Sequence, residues 1–157
     1  MPCTAVAMVA GIGPVDLPPA SAPRTITAIA VSAGGNGPVK LYKNPNCYCC
    51  DLYARYLEES GLKVEMVDTT DMASIKQKYS VPEKLEGCHT AVVEGYVVEG
   101  LVPAQFVQKM FKEHLAIRGI ALPGMPVGTP GMPGAKPSPL DVYTLDSSSP
   151  PKVFASF

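Results

Sequence analysis

Net charge is the first thing this sequence lacks. Thirteen Lys and Arg stand against fourteen Asp and Glu, leaving −1 at neutral pH with a pI near 6.1. That balance carries no electrostatic footprint for nucleic acid. Long apolar runs are missing as well. No stretch reaches the ~20 apolar residues that a spanning helix needs, so no stable membrane insertion is expected. No glycine-rich loop lies between a strand-like and a helix-like segment, which removes the usual cradle for a nucleotide cofactor. Widely spaced cysteine pairs are absent too. Three of the five Cys fall within four residues, so a small disulfide framework has little distant chain to staple.

Proline and charge are unevenly spread, and that sets the boundaries. Only Pro45, Pro82 and Pro103 of the 17 prolines fall within residues 39–118, whereas most of the charged residues do. Residues 1–38 carry two charges, Asp16 and Arg24, and are rich in Ala, Pro and Gly without a sustained period. They read as a disordered arm or an atypical targeting segment. Residues 39–146 read as one folded domain and 147–157 as a flexible tail. Cys3 lies in the arm and is assigned no role with the other thiols. Arg24 is followed by Thr25-Ile-Thr-Ala-Ile-Ala-Val31-Ser-Ala33, a short apolar stretch ending in small residues. It favours export, with a cytoplasmic or organellar setting as the alternative, because the usual basic start is missing.

What is present is Cys47-Tyr-Cys-Cys50, three thiols between a strand-like run (Val39-Lys-Leu-Tyr-Lys43) and a helix-like one (Asp51 to Glu59). At a helix N-terminus, free N–H groups and the helix dipole favour thiolate over thiol. A fourth thiol, Cys88, precedes the next strand signal and is followed by His89. Either soft-metal binding or disulfide exchange fits such a set. Buried cysteine can also act as a small hydrophobe, but the helix-opening position beside polar Asn46 argues against that.

The rest of the core alternates in period. Leu52, Tyr53, Tyr56 and Leu57 form one helical stripe, closed by Gly61 at C′. Lys63 to Asp68 reads as a strand with Val64 and Met66 on one face. Asp71 caps a second helix with Met72, Ile75 and Tyr79 on its stripe, and Val81-Pro82 ends it. Thr90 to Val93 and Tyr96 to Val98 flank Glu94-Gly95, the signature of a tight hairpin. Pro103 opens a third helix with Phe106, Val107, Met110, Phe111 and Leu115 inward. His114 falls on that helix's polar side. Asp141 to Leu145 reads as an added edge strand.

The order β-α-β-α-β-β-α gives an α/β fold with helices on both faces of a mixed four-stranded sheet. This is the connectivity of thioredoxin-like proteins, in which a CxxC turn follows the first strand and opens the first helix. The loop before the hairpin faces that turn and carries a proline in thioredoxins; here Gly87-Cys88-His89-Thr90 stands in its place.

Four segments together resemble the CopG-like family of bacterial copper-resistance proteins. They are Asn46-Cys-Tyr-Cys-Cys50, Cys88-His-Thr-Ala-Val92, Gly95-Tyr-Val-Val-Glu-Gly-Leu-Val-Pro103 and Leu122-Pro-Gly-Met-Pro-Val-Gly-Thr-Pro-Gly-Met132. The resemblance covers roughly residues 39–146. It implies a thioredoxin-like fold, usually exported to the periplasm, with Cu(I) held by Cys47, Cys49, Cys50 and Cys88. Copper ions are the implied partner, with a copper efflux or copper oxidase system downstream.

Residue chemistry agrees with copper but leaves alternatives. Thiolates suit Cu(I) on softness grounds. Four Cys also build zinc sites, yet adjacent Cys49 and Cys50 side chains diverge and bridge different ions more readily than they chelate one. A polynuclear Cu(I)–thiolate cluster is therefore preferred over single-site zinc. His89 stands as an auxiliary ligand or as a group tuning the thiolates. Met125 and Met132 are auxiliary thioether candidates whose ordinary role is to fill gaps in a Pro/Gly loop. If the thiols are redox-active, Cys47 and Cys50 are the catalytic pair, making the protein a copper/thiol oxidoreductase. A thiol–disulfide oxidoreductase using Cys47 as nucleophile and Cys50 as resolving thiol is the other function class. Asp51 beside Cys50 opposes it, since a nearby carboxylate disfavours a thiolate.

Overall fold

A computed structural model describes residues 37–146 and 150–157. The expectations for the N-terminal arm, Cys3 and the apolar stretch at 25–33 lie outside the described residues, as do residues 147–149.

Several local signals close the elements they predict, whereas the second helix ends at Lys78, before Val81-Pro82. Strand β1 (Val39–Lys43) leads into helix α1 (Tyr48–Glu59), which ends in a Schellman turn. Gly61 takes φ +87°, its N–H donates to Glu58 O, and Leu62 N–H donates to Leu57 O. After β2 (Val64–Asp68), the Asp71 carboxylate accepts Ser74 N–H at 3.0 Å and starts α2 (Met72–Lys78). A single 3-10 turn (Glu83–Leu85) precedes β3 (Thr90–Val93). Glu94 and Gly95 both have positive φ, as a tight I′ turn requires, and β4 (Tyr96–Glu99) follows. Helix α3 spans Ala104–Lys112 with Pro103 immediately before it.

Three further strands follow: β5 (Gly119–Ala121), β6 (Asp141–Thr144) and β7 (Val153–Ser156). The sheet runs β2-β1-β3-β4-β5-β6-β7, parallel at β1/β2 and β4/β5 and antiparallel elsewhere. It therefore has seven strands, not four. Asp141 to Thr144 is not an edge, because β7 pairs outside it, and the expected flexible tail contains that last strand. Strands β5 and β7 escape a periodicity reading because β5 has three residues and β7 follows a Ser/Pro-rich stretch.

Strand alternation sorts the two faces. Val39, Leu41, Ala91, Val93, Val98, Ile120 and Val142 point to one face, where α1 and α3 bury Tyr53, Leu57, Val107 and Met110. Val97 and Ala121 point to the other, packing with Leu85, Leu145 and Tyr79. Helices thus lie on both faces. Two stripe expectations need correction. Met66 is 53% exposed at the β2 edge. Helix α3 stops at Lys112, and His114 takes φ +48° beyond its end, where Leu115 N–H closes onto Met110 O. Among the described residues no helix is long and apolar enough to cross a membrane.

Candidate metal centre

The centre is built where β1 turns into α1 and where the chain enters β3. Cys47 is the N-cap of α1; its N–H donates to Asn44 O, and its carbonyl accepts Cys50 N–H and Asp51 N–H. Cys49 and Cys50 therefore sit in the first helical turn. Cys50 is buried, while Cys47, Cys49 and Cys88 are half-buried. Tyr48 between them is 71% exposed.

All four predicted sulfurs come together. Cys47 and Cys50 are joined in a disulfide, and Cys49 and Cys88 are free. Cys88 Sγ lies 3.5 Å from Cys50 Sγ and 3.6 Å from Cys49 Sγ, and Cys49 Sγ is 3.3 Å from Cys47 Sγ. The four Sγ atoms all fall within 4.8 Å of one another. Once the disulfide is reduced, this is a cup of four soft donors able to hold metal.

Electrostatics favour a protonated Cys88 in the metal-free form. Burial pushes its thiol up to about 12, and the neighbouring Cys49 adds to that, with Lys76 pulling the other way. His89 is fully buried, stacked on Tyr53 at 4.7 Å between centroids. Its Nδ1 is 3.4 Å from Cys88 Sγ, and its Nε2 has no hydrogen-bond partner. Burial and then the Lys76 charge push its pKa down to about 3, against a weaker opposing pull from the Gly100 carbonyl, so the ring is neutral. Tyr53 itself is held by a 2.7 Å hydrogen bond to Val102 O.

The Met/Pro/Gly segment flanks both halves of the cup. Gly124 N–H donates to Glu86 O, two residues before Cys88. Gly131 lies so close to α1 that a Cβ would stand 2.6 Å from the Cys49 carbonyl oxygen. Met132 packs half-buried against the main core, whereas Met125 is 40% exposed. The segment is thus wedged between Glu86 and the first turn of α1.

Two buried lysines around the cup were not legible as functional residues. Lys43 Nζ sits 3.1 Å from Asp51 and 3.0 Å from Asp68, and contacts the Asn44 and Pro45 carbonyls that lead into Cys47. The hydrogen bond to Asp68, then that to Asp51, hold its pKa up against burial. Asp51 is therefore charge-compensated and does not act alone on Cys50. Lys76 pairs with Glu99 on the opposite face of the sheet, both buried. The available signal was Lys76 lying on the same stripe as Met72 and Tyr79.

Comparison with known proteins gives one family and two structures. The family model described as protein of unknown function, DUF411, matches residues 85–132. A solved structure of copper resistance protein CopG, form 2, is 36% identical with a TM-score of 0.70, covering 77% of this chain and 99% of that one. Form 1 of the same protein is 36% identical with a TM-score of 0.69, covering 76% and 95%. No curated protein matches.

Proposed function

The chain belongs to the CopG family of copper-resistance proteins, and from that premise we propose that it holds copper as a polynuclear Cu(I) cluster bridged by Cys47, Cys49, Cys50 and Cys88. The observation that carries this reading is the convergence of four sulfurs within 4.8 Å, three of them on half-buried residues. A donor set of thiolates alone selects soft metals, and Cu(I) above zinc where adjacent thiolates must serve different ions. The fold reading that accompanies it is thioredoxin-like, with β5 to β7 appended to the β1-α1-β2-α2-β3-β4-α3 core. The biological role is copper resistance in an exported, periplasmic setting, with copper passed to an efflux or oxidase system. Support for export is the apolar stretch at 25–33.

In this reading the Cys47–Cys50 disulfide is the metal-free, oxidised form. Two electrons and two protons from a dithiol reductant open it to two thiols, and copper then displaces thiol protons. Closing it again releases two electrons, enough to reduce two Cu(II) to Cu(I), which is the copper/thiol oxidoreductase variant. The disulfide at a helix N-terminus also favours a second reading, disulfide exchange with protein substrates.

An anaerobic Cu(I) titration of the reduced protein against a colorimetric chelator separates them. Several coppers bound tightly per chain are expected, and Cys49→Ser should lower that ratio with an unchanged far-ultraviolet circular dichroism spectrum. One weakly held copper, or none, together with catalytic cleavage of insulin disulfides, would transfer the assignment to disulfide exchange.

A further inference from the structure

The Lys76–Glu99 pair lies on the sheet face opposite α1, yet it grips the segment that carries the fourth sulfur. Glu99 is fully buried at the end of β4. Its Oε1 accepts Gly87 N–H at 2.7 Å and the Lys76 ammonium, and its Oε2 accepts the Thr90 hydroxyl at 2.7 Å. Lys76 Nζ also donates to Thr90 Oγ1 at 3.3 Å. One carboxylate therefore binds the residue before Cys88 and the residue after His89, bracketing the Cys88-His89 dipeptide from beneath. Gly87 is pressed on the Gly100 backbone, where a Cβ would stand 2.6 Å from Gly100 Cα, so this segment has no slack on that side.

A buried ion pair is a poor device for stability alone. Desolvation of the two charges commonly cancels their attraction, and well-packed apolar side chains serve as well or better. A device that fixes one geometry is what such a pair does provide. Outer hydrogen-bond partners of metal ligands act in this way, by orienting the donor without touching the metal.

We propose that Glu99, held by Lys76, is a positioning residue for Cys88: it fixes the 87–90 segment so that the Cys88 sulfur stands over the first turn of α1. Through that placement it sets the Cu(I) affinity of the cup. The copper part of this inference rests on the copper reading above, whereas the placement of Cys88 does not.

The test uses the full-length reduced protein and three variants. Glu99→Gln keeps the shape and one acceptor for Gly87 N–H. Lys76→Met/Glu99→Met removes both charges together, leaving no unpaired buried ion. Cys88→Ser reports what complete loss of the fourth sulfur looks like. Two readouts are taken: Cu(I) affinity by chelator competition, with the thiolate-to-copper charge-transfer band, and the alkylation rate of Cys88 relative to Cys49 in metal-free protein, mapped by mass spectrometry. The double variant should bind Cu(I) about 10- to 100-fold more weakly, the range for lost outer partners of a ligand. Its charge-transfer band should shift toward that of Cys88→Ser, and Cys88 should be alkylated several-fold faster. Glu99→Gln should change both properties in the same direction by a smaller amount.

If the double variant does not fold, Glu99→Gln and Thr90→Val decide the matter. Each removes part of the bracket, and each should speed Cys88 alkylation in folded protein. Wild-type alkylation and wild-type copper affinity in the folded variants would overturn the proposal. A wild-type protein that binds no copper, with Cys88 alkylation still rising in the variants, would instead overturn the copper reading and leave the positioning role standing.

Discussion

His89 is where burial and chemistry meet most sharply at the scale of one residue. It is packed on Tyr53, touches Cys88 and has no room for a charge, so its pKa falls from 6.5 to about 3. Because the folded pKa is depressed, the unfolded chain binds the extra proton first. Stability is then fully present above pH 6.5 and is lost as pH falls toward 3. The slope from this group alone approaches about 1.4 kcal/mol per pH unit. Urea unfolding of the metal-free protein between pH 7 and 4 should show it, and His89→Gln should flatten the curve while lowering stability at pH 7. Parallel curves for the two proteins would place the acid sensitivity in other groups. Sequence made His89 visible as a neighbour of Cys88. Its burial was not visible, because that depends on Tyr53 arriving from α1.

At the scale of elements, the cup depends on a loop that approaches α1 more closely than any side chain permits. Gly131 has φ +93°, and a Cβ there would meet the Cys49 carbonyl oxygen at 2.6 Å. Gly61 has a similar φ of +87° but faces open space. Gly61→Ala therefore isolates the backbone cost, about 1–2 kcal/mol. Gly131→Ala adds a clash and should cost more, about 2–4 kcal/mol, measured by chemical denaturation. It should also weaken Cu(I) binding by pushing the first turn of α1, which Gly61→Ala should leave unchanged. Equal effects of the two on copper would remove the loop from the site. The same contrast explains what was legible. Gly61, Asp71 and Glu94-Gly95 act on neighbours one to five residues away, so the chain announces them. Gly131 against Cys49, and Glu99 against Gly87, join segments far apart in sequence, and local pattern says nothing of such pairs.

At the scale of the molecule, the site and the added strands lie at different ends of one sheet. The sulfurs come from segments joined to β1 and β3, while β7 is the opposite edge, four strands beyond β3. Strand β7 nevertheless covers part of the α3 face. Phe106 of α3 meets Phe154 edge-on at 6.3 Å and Phe157 at 5.8 Å between centroids, and the Phe157 backbone exchanges hydrogen bonds with Leu140. A chain ending at Asp146 loses both rings and leaves β6 as an unpaired edge, which invites association. Half-burying two Phe side chains contributes about 2–3 kcal/mol, taking part of the value for full burial. Truncation after Asp146 should therefore lower Tm by about 10 °C and promote concentration-dependent association in light scattering. Copper stoichiometry at low temperature should stay at the full-length value, because no sulfur is carried by the lost strand. A truncated chain that keeps its Tm would mean that β7 adds nothing to the fold. One that folds but binds fewer coppers would mean that the far edge of the sheet reaches the cup through α3, whose first turn meets α1 where Ala104 N–H donates to Tyr56.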